Sequence, residues 1–135
     1  MIVLDASVLA VMLADDTETG RMARSVTARL GEWTAPDIVD IETTSALRRL
    51  WLRGHLGEER FRAALGDLLD LEITRHPTHR LIDRAFELRS NVTPYDACYV
   101  ALAEALECPL ITYDGRLSTA TGIRCGVMVI GSHHV

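Results

Sequence analysis

The chain contains no lysine: all 14 of its basic residues are arginine. That removes every mechanism needing an amine side chain, including P-loop phosphate transfer, Schiff-base chemistry and phosphoaspartate folds with an essential lysine. Cysteine is scarce and odd in number. Cys98, Cys108 and Cys125 form no CxxC pair, which argues against zinc and for reduced, buried thiols in a cytoplasmic protein. Aromatic residues make up only 5% of the chain, so Trp33, Trp51, Phe61 and Phe86 read as core or dimer surface rather than as base-stacking platforms. No apolar run reaches the ~18 residues of a membrane span. The opening "MIVLDASVLA" lacks a basic segment and carries Asp5, so it reads as a strand and not as a signal peptide. Excess positive charge is missing too. A net charge of −5, spread over both halves, argues against a protein that coats itself with nucleic acid through bulk charge, though not against a local grip on it.

What is present suits a single core. At 135 residues and 48% hydrophobic content, the chain fits one domain over residues 1–135. Buried-strand patterns are predicted at 2–4, 32–35, 71–74, 110–112 and 126–130. Helical patterns are predicted at 7–13, 17–30 (with Thr17 as cap), 37–53, 57–70, 78–89 and 94–107, with Gly54 and Pro109 as stops. Short apolar strands alternating with longer helices imply βαβ units and a mostly parallel sheet. In such sheets function gathers beyond the carboxyl ends of the strands.

Carboxylates stand at those ends. Asp5 follows the first strand, and Asp114 follows the strand at 110–112. Asp5 equally suits the cap of the next helix, and Asp114-Gly115 equally suits an ordinary turn. In the helix over 37–53, the ~100° step puts Asp37, Asp40, Thr44 and Arg48 on one side, the expected solvent face. Val39, Ala46, Leu47 and Leu50 form one apolar stripe, and Ile38, Ile41, Ser45 and Leu52 a second. Glu42 falls between the stripes, which suggests a charged cleft or an ion pair with a neighbouring arginine.

In "NVTPYDACYVALAE", Thr93 suits an N-cap and Pro94 the first helical position. Asp96 then falls where a carboxylate can close a capping box. Yet the helix is apolar nearly all round, and Tyr99, Val100 and Ala103 share the face of Asp96. A carboxylate near the core needs a partner or a cation. Clustered acids raise one another's pKa unless a divalent cation is bound, whereas the helix dipole is expected to lower that of Asp96. Oxygen-only donors suit Mg²⁺ or Mn²⁺, and a carboxylate-held metal pair is standard apparatus for cutting a phosphodiester.

Taken in order, "VLDASVL", "APDIVDIETTSALRR", "TPYDACYVALAE" and "LITYDGRL" resemble the PIN-domain ribonucleases, and among them the toxins of VapBC-type toxin–antitoxin systems. The resemblance spans essentially the whole chain. It implies an α/β/α sandwich with a mostly parallel central sheet of about four to five strands. It also implies a Mg²⁺- or Mn²⁺-dependent endoribonuclease in which metal-activated water cuts RNA. The family's acidic quartet maps onto Asp5, Glu42, Asp96 and Asp114 as metal ligands. Ser7 and Thr112 match two hydroxyl positions near the metal site. A cognate antitoxin, homodimerisation and a transfer or ribosomal RNA target are implied as well. Some relatives carry a fifth acid; here Gly115-Arg116 stands in its place.

Arg49 and Arg53 lie about 10 and 16 Å along the helix from Glu42. They suit a phosphate backbone, and equally a salt bridge or an antitoxin contact. Arg116 suits RNA phosphate or a solvated helix. His76 and His79, with Pro77 between them, read as a helix start and not as a metal pair. His133 and His134 read as a tail. Two rivals remain. A non-catalytic PIN-like module binding RNA or protein is disfavoured by the complete quartet. A phosphohydrolase is disfavoured by the missing D-x-D motif and lysine.

Overall fold

The computed structural model describes residues 1–131; His133 and His134 lie outside the described residues. Five strands form one sheet: β1 (Ile2–Leu4), β2 (Trp33–Pro36), β3 (Ile73–His76), β4 (Leu110–Thr112) and β5 (Val127–Val129). Their order is β3-β2-β1-β4-β5 and every pairing is parallel. The helices are α1 (Ala6–Ala14), α2 (Glu18–Arg29), α3 (Val39–Leu52), α4 (Glu58–Asp70), α5 (Ile82–Glu87) and α6 (Pro94–Leu106). α1 packs on α2, α3 and α4, while α5 packs on α6, giving the α/β/α sandwich. Strands that are apolar throughout suit such double cover. Ile2, Val3, Leu4, Leu110 and Ile111 are essentially inaccessible to solvent. Among the described residues no helix is long and apolar enough to cross a membrane.

Several elements sit where the sequence puts them, and the differences have local causes. Gly54 follows α3 with φ of 76°, the left-handed stop that glycine permits. Thr17 precedes α2 but makes no capping bond, because its hydroxyl donates to Asp15 Oδ1 at 2.5 Å. β3 begins two residues later than predicted. The Leu71 amide still serves the end of α4, and the ladder with β2 begins at Ile73↔Trp33. The helix predicted at 78–89 divides into a 3₁₀ turn (Thr78–Leu81) and the six-residue α5. His76 ends β3 and His79 lies in that turn, in keeping with a helix start.

α3 starts at Val39 because Asp37 is engaged elsewhere. Its Oδ1 accepts from the Thr78 amide at 3.1 Å and from the Thr78 hydroxyl at 2.5 Å. The faces of α3 are also corrected. Asp40, expected in solvent, is half-buried and accepts from Arg75 Nε of β3 at 2.8 Å. Ile41 and Leu52, expected in the second apolar stripe, are 66% and 56% exposed, and Ile41 lines the cavity beside Glu42. Thr43 and Leu47 point inward with Val39, which rotates the buried face away from the predicted second stripe. Trp33 is partly buried and donates through its indole N–H to the Thr27 carbonyl at 3.0 Å. The Trp51 and Phe61 rings meet at 6.3 Å, while Phe86 is 63% exposed under the Arg89 guanidinium.

Candidate metal centre

Register places the first acid. Val3 pairs with Leu110 and Leu4 with Ile111. One residue further on, Asp5 and Thr112 lie side by side where β1 and β4 end. Asp5 is 7% exposed, and its donors come from the start of α1 and from the end of β4. Its Oδ1 accepts from the Ser7 hydroxyl at 2.6 Å and from the Val8 amide at 3.2 Å, and its Oδ2 accepts from the Thr112 hydroxyl. Asp5 is therefore the N-cap of α1 as well as a buried acid at the sheet edge. Ser7 also accepts from the Tyr113 amide at 3.2 Å, and Thr112 from the Asp114 amide at 3.0 Å. These two hydroxyls stitch α1 to the chain leaving β4.

Glu42 arrives on the first turns of α3, just beyond the end of β2. Asp96 arrives on the first turn of α6, where its amide donates to the Thr93 hydroxyl at 3.3 Å. Thr93 caps the helix, and the Asp96 carboxylate reaches the Thr93 hydroxyl. Asp5, Glu42, Asp96 and Asp114 line one cavity of about 530 Å³, with Ser7 and Arg49. Thr112 is fully buried beneath it, holding Asp5. Arg53 is exposed at the end of α3, away from this cavity, and Arg116 meets it only through Asp114. Asp96 thus combines a place beside its cap with a place in the acidic cavity.

Charge repulsion and burial leave their mark. Burial pushes the Asp5 carboxyl up, against the pull of Ser7, Thr112 and the Val8 amide, and the Asp96 charge adds to the rise. Glu42 is raised by burial and by Asp96, with Tyr99 and Arg49 opposing. Asp96 is raised as well, where a lowered value was expected: burial and the Asp114 charge outweigh the Thr93 bond and the Arg116 charge. Asp114 is the exception. Arg116 donates to it from Nε at 3.0 Å, from Nη2 at 2.9 Å and from its backbone amide at 3.0 Å, which holds that carboxyl below its ordinary range. The sequence offered no lysine against the quartet, but it did contain this arginine two residues on.

Sequence reasoning missed Tyr99. Its hydroxyl donates to Glu42 Oε1 at 2.6 Å, and the Ala6 backbone N–H is directed at the same phenol oxygen. Burial and the Glu42 charge push this phenol far above its ordinary value, so it acts as a donor. The available signal was a tyrosine three residues after Asp96 in an otherwise aliphatic helix, since a buried phenol needs a partner.

The donor set is chemically suited to a hard divalent cation: four carboxylates and two hydroxyls, with no nitrogen or sulfur ligand. As the side chains stand, each is held by internal donors, and among the described residues no group of three or more acids, histidines or cysteines is drawn together tightly enough to hold an ion. The fit lies in the chemistry and common location of the groups.

A PIN-domain family model matches residues 2–122. Ribonuclease VapC9 of Mycobacterium tuberculosis (strain H37Rv) is 40% identical over 130 residues, which cover 96% of this chain and 98% of the relative. The chain belongs to the PIN-domain family, in its VapC branch. Solved PIN-domain structures agree with the fold. The crystal structure of M. tuberculosis VapC20, a sarcin–ricin-loop-cleaving toxin, matches with a TM-score of 0.71 at 18% identity, covering 92% of this chain and 97% of that one. VapBC2 from Rickettsia felis, crystallised with a DNA fragment from its promoter, matches with a TM-score of 0.67 at 13% identity, covering 96% and 98%. In PIN-domain terms, this chain's acids come from four different elements: the end of β1, α3, α6 and the turn after β4.

Proposed function

We propose that this PIN-domain protein is a Mg²⁺- or Mn²⁺-dependent endoribonuclease, the toxin of a type II toxin–antitoxin pair. The observation that carries the reading is the meeting of Asp5, Glu42, Asp96 and Asp114 in one cavity, three of them with raised pKa. Acids that oppose one another's ionisation form a site that gains from a cation. The 40% identity to a ribonuclease over nearly the whole chain supports the same activity.

In this reading Asp5 and Asp96 are the central ligands, and Glu42 and Asp114 complete the set directly or through water. A divalent ion held there supplies a polarised water and charge stabilisation at the leaving oxygen of the phosphodiester. Ser7 and Thr112 orient Asp5 and keep its lone pairs aimed. Arg49, exposed on the cavity wall, contacts the RNA phosphate backbone, and Arg53 extends that track along α3. Arg116, paired with Asp114 and exposed, would be a further contact for RNA phosphate. The substrate is RNA of the transfer or ribosomal class. The partners are a cognate antitoxin, as the VapBC complex suggests, and a second copy of the chain. The setting is the cytoplasm.

The test is substitution of the central acids. Asp5→Asn and Asp96→Asn are expected to abolish Mg²⁺-dependent cleavage, read by mapping RNA 5′ ends after induction, while circular dichroism stays unchanged. Mn²⁺ is expected to raise the melting temperature of the wild type and of neither variant. Mg²⁺-dependent cleavage retained in both variants overturns this metal-centred mechanism and its assignment to Asp5 and Asp96. A wild type that Mn²⁺ does not stabilise favours a module that binds without cutting.

A further inference from the structure

Tyr99 lines the acidic cavity and takes no part in the proposed chemistry, yet it touches the elements that carry three of the acids. It belongs to α6, one turn after Asp96. Its hydroxyl donates to Glu42 Oε1 on α3 at 2.6 Å. The Ala6 amide, next to Asp5 at the start of α1, is directed at the same oxygen. The residue is 2% exposed, so its hydroxyl depends on protein partners. Among the described residues, no hydrogen bond to the other Glu42 oxygen, Oε2, accompanies that to Oε1.

We infer that Tyr99 is a positioning residue for the metal centre: by fixing Glu42 Oε1, its hydroxyl turns Oε2 into the cavity as a preset ligand. The inference rests on the reading of Glu42 as a metal ligand. The physical case is one of alternatives. A glutamate on a helix has three rotatable bonds, and half-burial alone selects no rotamer. One short bond from a buried phenol restricts the carboxylate before any ion arrives, so less freedom is lost on binding. Arg49, two turns on along the same face of α3, would otherwise draw Glu42 along the helix and away from Asp96; Arg49 already bears on the Glu42 charge. A partner that holds a ligand's second atom is worth roughly 10–100-fold in metal affinity.

Tyr99→Phe removes one oxygen and keeps the ring. Mn²⁺ affinity, measured by calorimetry on the full chain, is expected to fall roughly 10-fold or more. The Mg²⁺ concentration giving half-maximal RNA cleavage is expected to rise by a similar factor, with the rate at saturating Mg²⁺ falling less. The melting temperature in chelator reports the fold and is expected to change by only a few degrees. A double-mutant cycle isolates the route. In a Glu42→Gln background, Tyr99→Phe is expected to cost no further Mn²⁺ affinity. Unchanged Mn²⁺ affinity in Tyr99→Phe overturns the inference, and so does an equal loss in both backgrounds. A wild type that neither binds Mn²⁺ nor cleaves RNA instead overturns the function on which it rests.

Discussion

Thr112 performs two tasks with one hydroxyl. It donates to Asp5 Oδ2 and accepts from the Asp114 amide at 3.0 Å, all at a position with no solvent exposure. A buried carboxylate deprived of one donor is left with a lone pair that neither water nor protein satisfies. Thr112→Val keeps the shape and removes the hydroxyl. It is expected to lower Mn²⁺ affinity roughly 10–100-fold by calorimetry. Thr112→Ser keeps the donor and is expected to bind Mn²⁺ close to the wild type despite its small cavity. Equal losses in both variants would show that the methyl group, and not the hydroxyl, matters. At this scale the candidate acids were legible as types and spacings. Asp5 and Asp114 stand at strand ends, and Asp96 follows a Thr-Pro helix start. Their partners were not legible. Tyr99 lies 57 positions from Glu42, and no local rule pairs them. Arg116 was visible beside Asp114, but its bidentate bond depends on the tight 3₁₀ turn over Gly115–Ser118.

Glu104 shows how the element that carries Asp96 is anchored. It accepts from Arg84 of α5 at 2.7 and 3.1 Å and from the Arg124 amide before β5 at 2.8 Å. Burial pushes this carboxyl up, but the Arg84 bonds, the Arg124 amide and both arginine charges pull it down further, so its folded pKa lies below the ordinary value. The sign follows directly. A depressed folded pKa means stability that is present above the unfolded pKa and lost as pH falls through the folded one. With the side chains of Glu104 and Arg84 only 13% and 19% exposed, solvent screening is limited. Glu104→Gln is expected to cost about 1–3 kcal/mol at neutral pH. The gap to the wild type in thermal melts is expected to narrow as pH falls below about 4.3. A gap that holds constant into acid removes the ion pair as its cause. Element type was readable in the sequence because strand and helix periodicities differ and Gly54, Pro94 and Pro109 punctuate them. Facing was less so. The predicted solvent side of α3 failed at Asp40, because an arginine on β3 offered that carboxylate a partner that periodicity does not see. The exposed Ile41 and Leu52 show the converse: an apolar side chain in a helical stripe packs only if another element arrives to cover it.

At the scale of the whole molecule, charge sets the terms for any RNA complex. The chain carries −5 overall, and two divalent ions in the acidic cavity would offset four of those charges. Under the proposed function, attraction would therefore come from the ions and from a few arginines, not from a basic surface. Of the three arginines considered for RNA, Arg49 lines the cavity, Arg116 reaches it through Asp114, and Arg53 lies outside it. Binding that neutralises two or so phosphates of a single strand has a log–log salt slope of roughly −1 to −2, since each contributes about −0.7. Fluorescence anisotropy of a single-stranded RNA on the Asp5→Asn protein, titrated with KCl at fixed Mg²⁺, is expected to give that shallow slope. Arg49→Ala is expected to lower affinity uniformly across sequences and bring the slope closer to zero by somewhat less than one. A slope steeper than about −4 would mean that a much broader basic surface engages the RNA. Such a surface would have to be supplied by a partner or a second copy, because among the described residues the arginines at the acidic cavity are Arg49 and the Asp114-paired Arg116.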